Sequence, residues 1–373
     1  GFMSSATLLL LAFGRSVGLR EKLVIAESMG VEKLGGLLQL LLGIAFFSLT
    51  CEGIGAVLLY IRFSQVYASP GTALWQSIFH AVSAFNNCGL DVLGTGAGFE
   101  SYHADALVVL TIAGLIIVGG ISFLVVWDIF KKRSFSKLTL DTKVVVVVTA
   151  ILLILGTGVL LATEYSNQQT MGGMPVSHKV LDAFFHAVSP RTAGFNVIHV
   201  GSMAAYSLFF TIMLMFIGGA SGSTAGGIKV NTFGVLLGTV WSSLRGREHA
   251  EAFSREMRPQ LVHRSLAIAL LSLGLVGVVT LVLTITETSS AMVLRDGTQR
   301  SPEFIDVLFE TVSAFGTVGL STGLTPFLSL AGKLIIVGTM FAGRLGPLTL
   351  ALSLVQAQRT TEYRYPQDQV RIG

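Results

Sequence analysis

Three stretches of this chain carry a serine followed five or six residues later by one glycine: FHAVSAFNNCGLD at 79–91, FHAVSPRTAGFN at 185–196 and FETVSAFGTVGLS at 309–321. Glycine lets the backbone take unusual φ values, so Gly89, Gly194 and Gly319 can turn neighbouring carbonyl oxygens toward a common axis. Rings of backbone carbonyls that replace a hydration shell select potassium ions. The residues placed to supply them are Asn86, Asn87, Cys88 and Gly89; Thr192, Ala193, Gly194 and Phe195; and Thr317, Val318, Gly319 and Leu320. No Asp or Glu stands at the glycines, which argues against a carboxylate ring of the divalent-selective kind. Asp91 is placed to concentrate cations at the mouth. No nucleophile, base and orienting group cluster, so the chemistry is ion passage and not catalysis.

Such loops need elements that hold them. Of the 373 residues 52% are hydrophobic and only 12% charged, with mean hydropathy +0.72, where a soluble domain carries about a quarter charged residues. The composition is that of an integral membrane protein, and the net charge of +4 carries no implication of nucleic-acid binding. A hydrocarbon core of about 30 Å takes about 20 apolar residues as a helix. Leu37–Phe63, Leu107–Phe130, Lys143–Ala162, Leu266–Thr286 and Leu334–Val355 are long enough. The connections at 13–36, 131–143 and 242–264, with the tail after Val355, hold 17 of the 25 Lys and Arg, which makes them cytoplasmic and the intervening connections external. Cys51 and Cys88 fall at membrane depth and predict neither a disulfide nor a metal site.

The three lines lie just over a hundred residues apart, each after a long span and a short apolar stretch of about ten residues, such as Trp75–Phe85 or Phe304–Phe315. Ten residues rise about 15 Å, half a crossing. The short helix enters from outside and the chain returns, which aims its negative C-terminal end at mid-membrane, where a cation is the natural guest. An ordinary glycine turn explains any one line but not three in equivalent positions. The predicted fold is all-α and polytopic, built from repeated units of helix, half-helix, filter loop and helix around a central pore.

The stretch FIGGASGSTAGGIKVN at 216–231 interrupts an otherwise apolar run. A phosphate loop fails on spacing, since Lys229 comes one residue late with no Ser or Thr after it and no strand before. A close-packed small-residue face does not account for so many consecutive weak helix formers. From Tyr206 to Trp241 a continuous helix would be about 54 Å long, so a break is expected. Its place inside the filter makes Gly218, Gly219, Ala220, Ser221, Gly222, Ser223, Thr224, Ala225, Gly226 and Gly227 a gate, held by Lys229 and Arg344. Arg344 lies deep in the last span and reaches into the pore. Arg191 braces the second line, bonding carbonyls or a carboxylate such as Glu164. Glu52 pairs with a neighbouring helix, and His80 and His186 hydrogen-bond within the packed half-helices.

AVSAFNNCGL, AVSPRTAGFN, TVSAFGTVGL, MFIGGASGSTAGGIK, MFAGRLGPLTL and the ending YRYP together resemble the Trk/Ktr/HKT superfamily of potassium transporters, and most closely the membrane subunit of the bacterial Ktr system. The resemblance implies four units around one pore, a homodimer, and a cytosolic ring of nucleotide-binding regulatory subunits. It also implies potassium uptake, with sodium as a stimulating ion, across the bacterial cytoplasmic membrane, with lipid the other partner and nucleotide entering only through the ring. The first unit is missing from the pattern. The expected divisions are 1–35, the end of the first inner helix with its cytoplasmic connection; 36–141, 142–260 and 261–357, the second, third and fourth units; and 358–373, a cytoplasmic tail. The competing reading is a secondary transporter binding a small solute at the broken helix, which predicts inverted repeats where these run in one orientation.

Overall fold

The computed structural model of the chain describes residues 37–94, 98–247, 249–287, 292–293 and 299–346. Eleven α-helices lie among them: α1 (Leu37–Val66), α2 (Pro70–Phe85), α3 (Ala106–Gly120), α4 (Phe123–Lys132), α5 (Leu140–Glu164), α6 (Val176–Val188), α7 (Ala205–Phe216), α8 (Val230–Leu244), α9 (Pro259–Thr286), α10 (Phe304–Gly316) and α11 (Leu330–Leu345). The order of long helix, short helix, loop and inner helix occurs three times. The long helices α1, α5 and α9 are apolar and long enough to cross a membrane, and their outer faces expose large side chains such as Phe46, Ile154 and Leu273. These are faces for lipid, since nothing else in an all-α bundle of this composition would keep them from water.

Local chemistry starts the helices where they start. Pro70 and Pro259 open α2 and α9, where a missing N–H costs nothing. Asp105, Thr139 and Ser329 accept backbone N–H groups at the heads of α3, α5 and α11, and Glu303 with Asp306 forms a capping box on α10. The units then share cores. Phe85, Ile112 and Phe99 pack with Phe185 and Phe195 of the next unit, and Met215 packs with Phe309 and Phe315 of the one after.

Three expectations are corrected. The span expected over Leu107–Phe130 is two helices, α3 and α4, meeting at 91°. The cause is the sequence Gly-Gly-Ile-Ser at 119–122: a Cβ on Gly119 would lie 1.9 Å from the Phe85 carbonyl oxygen, so the end of α2 presses against α3, and Ser122 turns the chain at φ +59°. The third unit is therefore not alone in having a broken inner helix. The first short helix begins five residues before the expected Trp75, at Pro70, because Pro70 to Leu74 continue it outward; the second holds 13 residues, and α10 keeps the expected start at Phe304. The last span, expected over Leu334–Val355, is helical from Leu330 to Leu345 and turns at Gly346, φ +88°; 347–355 lie outside the described residues, as do the segments 1–35 and 358–373.

Candidate filter and gate

Each loop is fixed to its own short helix by the same two bonds. Ser83 donates its hydroxyl to the Leu90 carbonyl at 2.8 Å, Ser189 to that of Phe195, and Ser313 to that of Leu320 at 2.6 Å. The serine thus holds the carbonyl just after each filter glycine in the loop wall. One turn earlier, Nε2 of His80 accepts the Val92 amide at 3.4 Å, Nε2 of His186 the Ile198 amide at 3.2 Å, and Glu310 the Thr322 amide at 3.2 Å. His80 consequently carries its proton on Nδ1, which donates to the Gln76 carbonyl at 2.7 Å. Histidine and glutamate serve the same purpose here because each offers an acceptor at the same height.

Between the clamps the backbone alternates in hand. Asn87 and Gly89 have φ of +51° and +66°, Thr192 and Gly194 +71° and +78°, Thr317 and Gly319 +51° and +93°, while Cys88, Ala193 and Val318 between them do not. Alternation turns successive carbonyls to one side of the chain. Glycine adopts this conformation freely, but a β-branched threonine does not, so Thr192 and Thr317 are held there by their surroundings. The loops also touch: a Cβ on Gly89 would sit 2.5 Å from the Ala193 oxygen, and one on Gly194 2.3 Å from the Val318 oxygen. Asn87 donates across to the Arg191 carbonyl at 3.3 Å. The three loops touch in chain order, the first against the second and the second against the third. Asn86 caps α2 and donates to Glu52 at 2.7 Å, the helix partner expected of that carboxylate. Cys88 is exposed, whereas the side chains of Phe195 and Leu320 are buried in the core.

The interrupted stretch leaves α7 at Ile217 and re-enters a helix at Val230. Its two ends are clasped, with Gly218 N–H on the Ile228 carbonyl at 2.8 Å and Val230 N–H on that of Gly219 at 3.0 Å. From this clasp the loop reaches under the other units. Ala220 N–H bonds the Gly120 carbonyl at 2.8 Å, and Thr224 Oγ1 donates to those of Gly119 at 3.1 Å and Phe85 at 3.4 Å. Arg344 of the last unit donates to the Thr224 carbonyl at 2.8 Å. Gly226 lies so close beneath the third filter line that a Cβ would be 2.1 Å from Thr317 Oγ1. Ser221 N–H is held by Asn231 at 2.8 Å, Ser223 Oγ bonds the Ala220 carbonyl at 2.7 Å, and Lys229 Nζ bonds the Ala225 carbonyl. Gly222 and Gly227 supply the turns at φ +74° and +63°.

Arg191 meets its expectation through the carbonyl alternative. It bonds a carbonyl, that of Gly218 at 3.4 Å, and Thr149 Oγ1 at 3.3 Å. It does not meet Glu164, which binds Asn167, Thr170 and the Ala204 amide. Glu164 stands 15 residues along α5 from Thr149, about 22 Å away, so one guanidinium cannot reach both. The brace therefore runs from filter line to gate loop. The sequence reading missed Gly119, Gly120 and Phe85 as the seat of the loop; the Gly-Gly pair at 119–120 was the available signal.

The chain matches the TrkH cation transport protein family over residues 1–362. It is 39% identical over 373 residues to the Ktr system potassium uptake protein B of Bacillus subtilis, covering 100% of this chain and 80% of that one. It is 37% identical over 378 residues, with the same coverage, to the potassium/sodium uptake protein NtpJ of Enterococcus hirae. The potassium transporter TrkH of Vibrio parahaemolyticus, 16% identical, superposes with a TM-score of 0.70 over 90% of this chain and 68% of its own. These relatives are transport proteins and not enzymes. With its filter-like loops, its interrupted helix and a match over nearly its whole length, the chain belongs to the TrkH family of cation transport proteins.

Proposed function

We propose that this protein is the pore-forming subunit of a channel-like potassium uptake system in a bacterial cytoplasmic membrane. Ions lose water to carbonyls of 86–89, 192–194 and 317–319, not to those of Phe195 and Leu320, which are taken by Ser189 and Ser313, and passage is gated by the loop 218–227 with Lys229 and Arg344. The observation that carries the reading is the alternating backbone at the three glycines, packed loop against loop directly above Gly226. Carbonyl dipoles on one side of a chain substitute for hydration, and no side-chain charge stands among them. The membrane potential supplies the driving force, about 2.3 kcal/mol per charge per 100 mV. In this reading the filter loops face outward and the basic connections inward, and the units divide at 36–141, 142–260 and 261–357. A homodimer sits on a cytosolic nucleotide-binding ring, and sodium stimulates uptake. The names of the Bacillus and Enterococcus relatives support potassium as the cargo.

The test is growth of a potassium-uptake-deficient bacterium carrying the full-length gene. Growth at low potassium is expected. Membrane-inserted protein that neither supports growth nor takes up rubidium would overturn the assignment.

A further inference from the structure

The bend between α3 and α4 has a consequence for regulation. α4 leaves the 15-residue α3 at 91° and runs beside the head of the membrane-long α5, next to the basic connection 131–143. Its two faces differ. Inward, Val125 packs with Val145 and with Ala220 of the gate loop, and Asp128 accepts the Thr139 amide at 3.0 Å and the Thr142 hydroxyl at 2.8 Å. Outward, Trp127 and Phe130 are 59% and 71% exposed; Phe123, on the same stripe, stacks on Trp127 and packs against Phe47 of α1 at 5.6 Å. The helix ends in Lys131, Lys132 and Arg133; Lys132 pairs with Asp128 at 2.7 Å, while Lys131 and Arg133 have no carboxylate partner among the described residues. Exposed aromatic rings beside basic groups that have no carboxylate partner among the described residues, held at the head of the membrane-long α5 through Asp128 and Thr139, match an anionic headgroup layer in polarity.

The same helix break is where the gate loop is seated. The bend frees the Gly119 and Gly120 carbonyls from α3, and the loop caps both, through Thr224 Oγ1 and the Ala220 amide. We propose that α4 binds anionic lipid of the cytoplasmic leaflet through Lys131, Arg133, Trp127 and Phe130, and that this seating sets how firmly the loop is held. Ser122, at φ +59° with ψ +135°, is the hinge. This rests on the gate reading of the loop.

The test uses the full-length protein in liposomes, with tryptophans other than Trp127 changed to Phe and phospholipids brominated on the acyl chains as quenchers. At equal mole fraction, brominated phosphatidylglycerol should quench Trp127 more than brominated phosphatidylcholine, by up to about fivefold local enrichment per basic group, less at high salt. Lys131→Gln with Arg133→Gln should remove the preference but keep the quenching, which reports a folded, inserted helix. Rubidium uptake in the wild type should depend on the phosphatidylglycerol fraction and lose that dependence in the double variant. Equal quenching by both lipids overturns the proposal, as does a Trp127 reached by neither and shielded only when a cytosolic protein is added. A lost preference with unchanged lipid dependence of uptake overturns the coupling to the loop. Absence of uptake in every preparation refutes the transport reading, while quenching still decides lipid binding.

Discussion

Replacing Gly194 by alanine separates two costs that the filter geometry imposes. At φ +78° an L-residue is strained by about 1–2 kcal/mol, against which the lower entropy of an unfolded alanine returns only about 0.4–1 kcal/mol. The new Cβ would lie 2.3 Å from the Val318 carbonyl oxygen, where ordinary contact begins at 3.4 Å, so one filter loop must move about 1 Å from the next. That oxygen belongs to the backbone and has no rotamer by which to yield. Gly319→Ala shares the strain, at φ +93°, but its Cβ meets only the Gly194 Cα at 3.6 Å. Gly158→Ala, with nothing within 4 Å and no positive φ, is the control. In rubidium uptake by the full-length protein, Gly194→Ala should fall at least tenfold, the effect of about 1.4 kcal/mol on one step, and lose discrimination against sodium. Gly319→Ala should fall less, and Gly158→Ala should match the wild type. Wild-type uptake by Gly194→Ala, or greater damage from Gly319→Ala, would refute the idea that these glycines are there for loop-against-loop packing.

Three further outcomes are expected. Thr224→Val keeps the shape of the gate loop but removes its hydroxyl bonds to Gly119 and Phe85, worth about 0.5–1.5 kcal/mol net. Basal flux should rise several-fold, and combination with Arg344→Gln, which frees the Thr224 carbonyl, should be non-additive because the two share one residue. Deleting 221–225 should raise flux further and loosen regulation; unchanged uptake would dismiss the loop as a gate. Ser313→Ala should cost about 1 kcal/mol of loop stability, read as a lower potassium-to-sodium selectivity ratio with the protein still in the membrane, since the Leu320 carbonyl loses its holder.

The parts of this fold legible in the sequence were those written in periodicity and repetition. Long apolar runs marked α1, α5 and α9, and the thrice-repeated Ser-to-Gly line marked the loops, because both follow from local composition. The gate stretch was legible for a related reason: so many weak helix formers in succession cannot be hidden in a span. What escaped was set by packing between units. Gly119 and Gly120 read as two tolerable residues in an apolar run, since the Phe85 carbonyl that forces the bend is supplied by another helix. That Arg191 braces through a carbonyl is as expected, but which carbonyl it meets depends on packing between units, which a sequence does not order in space. The positive φ of Thr192 and Thr317 runs against local preference altogether. A β-branched residue stays in that conformation only when neighbouring elements over-determine it, here the serine clamp of its own unit and the gate loop below. The least predictable residues of the site are thus where the filter loops and the loop 218–227 pack on each other, Thr317 against Gly226 and Thr192 against Gly218. On the proposed gate reading, a displacement of this loop that opens the pore must also relax the filter loops, so that gating and selectivity would be one equilibrium and not two.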